Sequence, residues 1–264
     1  MATTKGTACI GLAVACLGTA LANDANLSVG GTPKLMSGHA TVRMEREKIV
    51  MTIGEATTTV VCDFWFKNDG PACAVRMGFP DEGSATEELD PSGKVSSNFD
   101  TFKSWVDGRS VQTKLVAGEG EAWHVKAVRF GAHALVHVRD TYESKTGSGI
   151  ASAGDSQGGC LWAEYTVHTG SSWKGSIGKT EILVTFKREL VPHRLKLLSA
   201  RLVGNDGDGR ALKKGPFPKA GTIVWRGVSK PTVRGRTLRF LRTNWRPSDD
   251  DDLNLWFGFG RPTG

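Results

Sequence analysis

The stretch TTVVCDFWFKNDGPACAVRMGFP, residues 58–80, decides the fold. In its first part Val60, Cys62, Phe64 and Phe66 fall on one face, and Thr59, Val61, Asp63 and Trp65 on the other. A period of two is the mark of a β-strand with unlike faces. Cys73, Val75, Met77 and Phe79 then alternate with small or charged neighbours until Pro80 ends the run. Between the runs, Asn68-Asp69-Gly70-Pro71 offers an Asp-Gly pair suited to the positive φ angles of a tight turn, so the segment predicts a β-hairpin.

The same pattern recurs along the chain. Trp123, Val125 and Ala127 lead to Phe130-Gly131-Ala132, and Ala134, Val136 and Val138 return, predicting a second hairpin. Further strands are expected at Leu161–Val167, Thr180–Lys187, Arg194–Val203, Thr222–Arg226, Thr237–Thr243 and Leu253–Phe259. Turn-rich breaks separate them at Asp81–Lys94, Gly118–Glu121, Ser144–Gly159, Gly170–Gly178 and Gly204–Gly209. No sustained helical period and no internal repeat is present. Short strands at regular spacing predict an all-β, mostly antiparallel protein of two β-sandwich (immunoglobulin-like) domains. The Gly118–Glu121 break is the expected linker, dividing the chain into 23–117 and 118–264; one continuous sandwich is the alternative.

Residues 1–22 are an address rather than part of that fold. Lys5 gives a positive start, Ala8–Leu17 an apolar stretch, and Ala20-Leu21-Ala22 a small-x-small cleavage signature. This predicts a secretory signal peptide removed after Ala22, and hence a periplasmic or extracellular protein. Ala13-Val14-Ala15-Cys16 is a poor lipobox, because a Leu is normally expected at Ala13; lipidation at Cys16 is the lesser reading. No other stretch has the roughly 18 apolar residues of a membrane span. An apolar share of 39% with 23% charged residues is that of a globular chain rather than a disordered one.

Outside the signal remain Cys62, Cys73 and Cys160. In an oxidising compartment Cys62 and Cys73, nearest in sequence, are the candidate disulfide; three buried thiols without a bridge is the equal alternative. Charge is uneven: residues 23–186 hold 16 Lys/Arg against 20 Asp/Glu, and residues 187–264 hold 17 against 7. The basic last third suits an anionic surface, with Arg234, Arg236, Arg239, Arg242 and Arg246 as candidate anion-binding residues. Export argues against nucleic acid as the partner.

Several segments taken in order resemble a known group. They are Asn68-Asp69-Gly70-Pro71 running into Met77-Gly78-Phe79-Pro80, the Trp123–Val138 segment, and Tyr165 to Gly170. Ser172-Trp173-Lys174-Gly175-Ser176-Ile177-Gly178 follows, and Trp245-Arg246-Pro247 precedes a terminal strand. Together they resemble a family of exported bacterial proteins defined only as a domain of unknown function, with β-sandwich architecture. The resemblance covers most of residues 40–260 and implies export and a β fold. It supplies no catalytic residue.

Motifs that suggest chemistry have plainer readings beside them. Gly154-Asp155-Ser156-Gln157-Gly158 fits Gly-x-Ser-x-Gly, which would make Ser156 a nucleophile with His168 or His193 as base. That motif needs a strand–turn–helix setting, and here it lies in a Ser/Gly-rich break, so a flexible loop is expected. It also resembles the Gly-Asp-Ser-Gly-Gly of chymotrypsin-like proteases, but Gln157 interrupts it. His133 and His137 are about 13 Å apart if both lie on one strand, too far to share a metal. With His124 they read as solvent-facing histidines. Asn205-Asp206-Gly207-Asp208-Gly209 starts like a calcium loop, but Arg210 and Phe217 occupy ligand positions. Asp249-Asp250-Asp251-Asp252 reads as a solvated run gating the last strand against edge pairing. Trp173, in a Gly/Ser loop, and Trp162 are the candidate sugar-stacking residues. No cofactor motif is present. The expected role is non-catalytic: a binding or scaffold module of the cell envelope, for a protein or an anionic surface. A hydrolase using Ser156 and a carbohydrate-binding module using Trp173 are the alternatives.

Overall fold

The computed structural model describes residues 28–37, 41–83, 95–117, 122–153, 156–191, 195–197 and 222–259; the side chains of 148–160 lie outside the described set. The strands are β1 (Ser28–Gly31), β2 (Lys34–Ser37), β3 (Val42–Ile53), β4 (Thr57–Asn68), β5 (Cys73–Gly83), β6 (Thr101–Val106), β7 (Arg109–Val111), β8 (Lys114–Ala117) and β9 (Ala122–Phe130). They continue as β10 (Leu135–Lys145), β11 (Gly147–Ala153), β12 (Ser156–Thr166), β13 (Ile177–Phe186), β14 (Lys196–Leu197), β15 (Thr222–Arg226), β16 (Thr232–Arg234), β17 (Thr237–Trp245) and β18 (Leu253–Phe259). The fold is all-β. The only helical pieces among the described residues are short 3₁₀ turns at His168–Ser172 and Asp249–Asp251.

Two sheets face each other. One has ten strands and runs β14-β15-β18-β12-β1-β5-β9-β8, with β11 and β2 paired to β12 and β5. The other has eight, in the order β16-β17-β13-β3-β4-β10-β6-β7. Pairing is antiparallel except for β1–β12, β13–β3 and β14–β15. Both sheets take strands from either side of residue 118. Gly118–Glu121 lies outside the described residues, and the strands flanking it, β8 and β9, pair with each other. Alternate residues of both sheets meet in one buried cluster that includes Phe64, Phe66, Phe186 and Phe257. Each such ring contributes roughly 1.5–3 kcal/mol by leaving water.

The two expected hairpins are corrected by this topology. β4 and β5 lie in opposite sheets, as do β9 and β10, so each connection is an arch from one layer to the other. Neither Asp69 nor Gly70 adopts the positive φ that a two-residue hairpin turn requires. The arches clasp one another instead. Asn68 N–H donates to the Ala134 carbonyl at 2.9 Å, and His133 N–H to that of Gly70 at 3.1 Å. The buried Asn68 side chain accepts from the Thr41 hydroxyl and Gly70 N–H and donates to the Pro71 and Gly131 carbonyls, using its full bonding capacity. A genuine two-residue turn stands elsewhere: Asp107 (φ 48°) and Gly108 (φ 77°) join β6 to β7.

The Ser144–Gly159 break is corrected too. It holds β11 and the start of β12, which pair from Gly147↔Trp162 to Ala153↔Ser156. Arg194–Val203 is described as strand only at Lys196–Leu197. Gly204–Gly209, with the calcium-like segment, and His193 lie outside the described residues.

A bulge in β3 places a carboxylate in the core. Met44 pairs with Phe66 and Arg46 with Trp65, so one residue is gained between them and the inward parity changes. Val42 and Met44 face inward before the bulge, and Glu47, Ile49, Met51 and Ile53 after it. Glu47 is completely buried and accepts from the Thr32 hydroxyl at 2.8 Å and the Thr180 hydroxyl at 2.7 Å. Burial pushes its pKa up from 4.5 to about 7, against the smaller opposing pull of those hydroxyls. A second buried polar contact spans the layers. Lys126 of β9 reaches both oxygens of Asp140 on β10 at 2.6 Å, with each side chain essentially out of solvent.

Candidate functional site

The outer face of the eight-stranded sheet gathers charge from strands far apart in sequence. One row across the sheet is Arg239–Leu183–Val50–Val61–Thr141–Lys103. The next is Leu241–Glu181–Lys48–Asp63–Arg139–Trp105, and a third runs Thr243–Lys179–Arg46–Trp65–His137. Arg46, Lys48, Lys67, Lys103, Arg139, Lys179 and Arg239 thus share a surface with the carboxylates of Asp63, Glu143 and Glu181.

Those carboxylates are mostly engaged. Arg239 Nε donates to Glu181 at 2.6 Å, and that bond holds the Glu181 carboxyl below its ordinary pKa, with Lys179 and Lys48 adding to the effect. Arg139 grips Asp63 in a fork at 2.7 and 3.0 Å, and His137 Nε2 lies 2.7 Å from the same carboxylate. Burial alone would raise the Asp63 pKa, but these partners together carry it below the ordinary value. Arg46 lies 3.7 Å over the Trp65 ring, whose centroid is 4.8 Å from that of the stacked His137. Lys48, Lys103 and Lys179 have no carboxylate within ion-pair distance among the described residues. Half-buried Val50, Val61 and Leu183 and exposed Leu241 lie between these cations, and Leu135, 55% exposed, sits at one end of the face.

The expected arginine stripe is corrected in place rather than in sign. Arg234 ends β16 and Arg236 follows Gly235 (φ 57°), so a tight turn separates these two candidates. Arg242 donates to the Val228 carbonyl at 3.0 Å and lies 4.9 Å over Trp245. Arg246 donates to the Ser171 carbonyl at 3.0 Å. Of the five, Arg234 and Arg239 project from the basic face just described, Arg234 opposite Thr237 at its edge, and the charge of Arg239 is paired.

The other sequence candidates scatter. Trp173 is 2% exposed, packs 4.4 Å from Phe66 and donates its indole N–H to the Pro33 carbonyl at 2.6 Å, so it presents no ring face to a sugar. Trp162 is half-buried on the outer face of the ten-stranded sheet, stacked on Trp256 at 5.1 Å. Ser156 and His168 lie at and beyond opposite ends of the eleven-residue β12, more than about 30 Å apart along the strand, so they form no couple. His168 Nδ1 is 2.8 Å from Asp252, which also accepts from the backbone N–H groups of Val167 and His168. The acidic run is therefore a set of anchors: Asp251 closes a capping box with Ser248, and Asp250 meets Arg226. Cys62 and Cys73 are both free thiols, in opposite sheets. Cys62 is buried, and its thiol is pushed well up by that burial.

The histidines are also redistributed. His133 sits in the β9–β10 arch with φ 53°, and His137 is on Asp63. His124, expected at the surface, is buried and stacked on Phe102 at 3.9 Å and on Phe99 at 5.6 Å. Its Nε2 lies 3.0 Å from Asp81 and 3.4 Å from the Ser97 hydroxyl. This joins a serine, an imidazole and a carboxylate, but not as a nucleophilic relay. Ser97 gives its proton to Asp81 at 2.6 Å, and both contacts of His124 use the one ring nitrogen. A relay needs the carboxylate on one nitrogen and the hydroxyl on the other. Asn98 N–H and its side-chain amide also donate to the Asp81 carboxylate, making it the anchor of the 97–99 segment.

No family model and no curated protein matches the chain. Among solved structures, it is similar to a candidate nutrient binding protein from Legionella pneumophila, with 18% identity and a TM-score of 0.55 over 87% of this chain and 71% of that one. An M1 zinc metallopeptidase from Deinococcus radiodurans aligns at 12% identity and a TM-score of 0.37 over 83% of this chain, which spans 42% of that enzyme. The Legionella likeness bears on the fold alone. No helix among the described residues is long and apolar enough to cross a membrane.

Proposed function

We propose that the protein is a non-catalytic binding module of the bacterial cell envelope, and that the outer face of its eight-stranded sheet is the surface that meets an anionic partner. The observation that carries this reading is the convergence of Arg46, Lys48, Lys103 and Lys179 on one sheet face, with too few carboxylates beside them to neutralise them. Lys48 and Lys179, on neighbouring strands, repel one another, and a negative surface relieves that repulsion. Trp65 is capped by Arg46 on one side and His137 on the other, which favours a charge-reading surface over a sugar-stacking platform. The Legionella protein, named as a candidate nutrient binder, supports a binding role in a coarse sense.

Export is part of the reading and rests on residues 1–22, which lie outside the described residues. N-terminal sequencing of protein recovered from an expressing cell's envelope or medium should start at Asn23. The contact surface is tested by sedimenting the full chain with vesicles containing phosphatidylglycerol, and with neutral phosphatidylcholine vesicles, across a salt series. Binding to the anionic vesicles alone, weakening as salt rises and lost in a Lys48→Glu, Lys103→Glu, Lys179→Glu variant, is the expected result. Equal binding by that variant, or no dependence on salt, overturns the assignment of this face.

A further inference from the structure

The ten-stranded sheet contains a window. On one edge β12 pairs with β11 up to Gly147↔Trp162 and with β1 from Gly30↔Tyr165, so no described residue is paired with Ala163 or Glu164 there. A narrow cavity opens at this gap, with Trp162, Gly147 and Glu164 around it and Tyr142 and Ser144 of the opposite sheet as its floor. Glycines let the bordering rings pack against the backbone: a β-carbon at Gly147 would meet the Trp162 indole, and one at Gly30 would meet the Tyr142 ring.

Glu164 is out of place in such a setting. Its side chain is largely shielded from solvent, and no cation or hydrogen-bond donor among the described residues reaches it. Burial, followed by the nearby negative charge of Asp252, raises its pKa above the ordinary glutamate value. The Asp252 carboxylate is already satisfied by Val167, His168 and the His168 ring. A half-buried carboxylate beside a second one, in a cavity lined by an aromatic ring, has no counter-charge, and an ammonium group supplies one. Lys145 also borders the opening, but its side chain is exposed and forms no hydrogen bond or ion pair with Glu164.

We propose that this window is a binding site for a small ammonium-bearing ligand, whose cationic head enters the gap in the sheet and pairs with the Glu164 carboxylate beside Trp162. The site is on the opposite sheet from the basic face and does not depend on it. Room for only one small group at a time restricts the recognised part to the ammonium head, the rest of the ligand staying outside.

The experiment titrates the ¹⁵N-labelled full chain with methylammonium chloride, against sodium chloride at matched ionic strength. The readout is the indole N–H signal of Trp162, assigned by its loss in Trp162→Phe. That N–H is buried without a hydrogen-bond partner, so its resonance should respond to a charge placed beside it. A saturable shift specific to methylammonium is expected. It should weaken by about tenfold or more in Glu164→Gln, the ratio for losing one charge-assisted contact. Lys145→Ala should leave affinity unchanged or improve it by removing a like charge. No saturable shift beyond the sodium control, an unchanged shift in a folded Glu164→Gln, or loss of binding in Lys145→Ala would each overturn the proposal. Vesicle binding by the same variants is unaffected if the two surfaces are independent, which separates failure here from failure of the basic face.

Discussion

Replacing Glu47 by Gln should make the protein more stable in neutral and alkaline solution, and the size of the gain follows from the core. The unfolded carboxyl titrates near 4.5 and the buried one near 7. Below the lower value both states hold the proton and folding is unpenalised. Between the two, the folded state retains a proton that the unfolded chain has released, so stability falls as pH rises. Above the higher value the loss is complete and constant. The span of about 2.5 pH units at 1.36 kcal/mol each makes the full loss about 3 kcal/mol. Gln keeps the shape and cannot ionise, and the Thr32 and Thr180 hydroxyls can rotate to accept from its amide. Urea unfolding followed by tryptophan fluorescence at several values from about pH 4.5 to about pH 8 gives both free energies by linear extrapolation. The wild type should lose about 3 kcal/mol relative to Glu47→Gln across that window. Comparing the two proteins cancels the contributions of Asp63 and Glu181, whose lowered pKa values act in the opposite direction. Curves that stay parallel throughout would refute the account of Glu47 as a carboxyl held protonated by burial.

Further outcomes follow from other contacts. Lys126→Met leaves Asp140 buried without its partner and should cost about 3–5 kcal/mol, while Lys126→Met with Asp140→Leu should recover most of it in the same unfolding assay. Asn68→Ala strips four hydrogen bonds from the clasped arches; a loss of about 2–4 kcal/mol is expected, and a change within experimental error would mean that the clasp is dispensable. Gly178→Ala drives a methyl group into the Glu45 carbonyl, so melting should drop, whereas Gly175→Ala, at φ 69° with open space around it, should show only the smaller cost of its backbone angle. With a thiol reagent under native conditions Cys73 should react and Cys62 should not; mass spectrometry finding the two joined would contradict the layer assignment.

The all-β class was legible because inward positions of β4, β5, β10 and β18 alternate in the chain as they do in the sheets; in β9 the expected apolar run Trp123, Val125 and Ala127 is the outer face, and His124, Lys126, Val128 and Phe130 point inward. What could not be read was which sheet each strand joins. A turn such as Asn68–Pro71 has similar residues whether its arms pair or part, and the backbone angle that separates the cases is set by tertiary packing. β3 went unrecognised because its bulge shifts the inward face from even to odd positions at Arg46, breaking the periodic signal within one strand. Trp173 looked exposed for its Gly and Ser neighbours, yet a ring can fill a core from a loop. The basic face was hidden for a related reason. Arg46, Lys48, Lys103 and Lys179 belong to a segment whose net charge is negative, and only the register of β3, β6 and β13 brings them together. The arginine-rich C-terminal third carries more charge per residue, but Arg242 and Arg246 are spent on carbonyls and Arg239 on Glu181.

The last strand has a weight out of proportion to its seven residues. β18 lies inside the ten-stranded sheet, hydrogen-bonded to β15 on one side and β12 on the other. A nascent chain lacking Leu253–Phe259 has two bare edges where the folded protein has none, and β15 and β14 have no strand pairing them to the rest of their sheet. Completion of that layer therefore waits on the arrival of Leu253–Phe259, and a chain cut short before it would tend to recruit a strand from its neighbours.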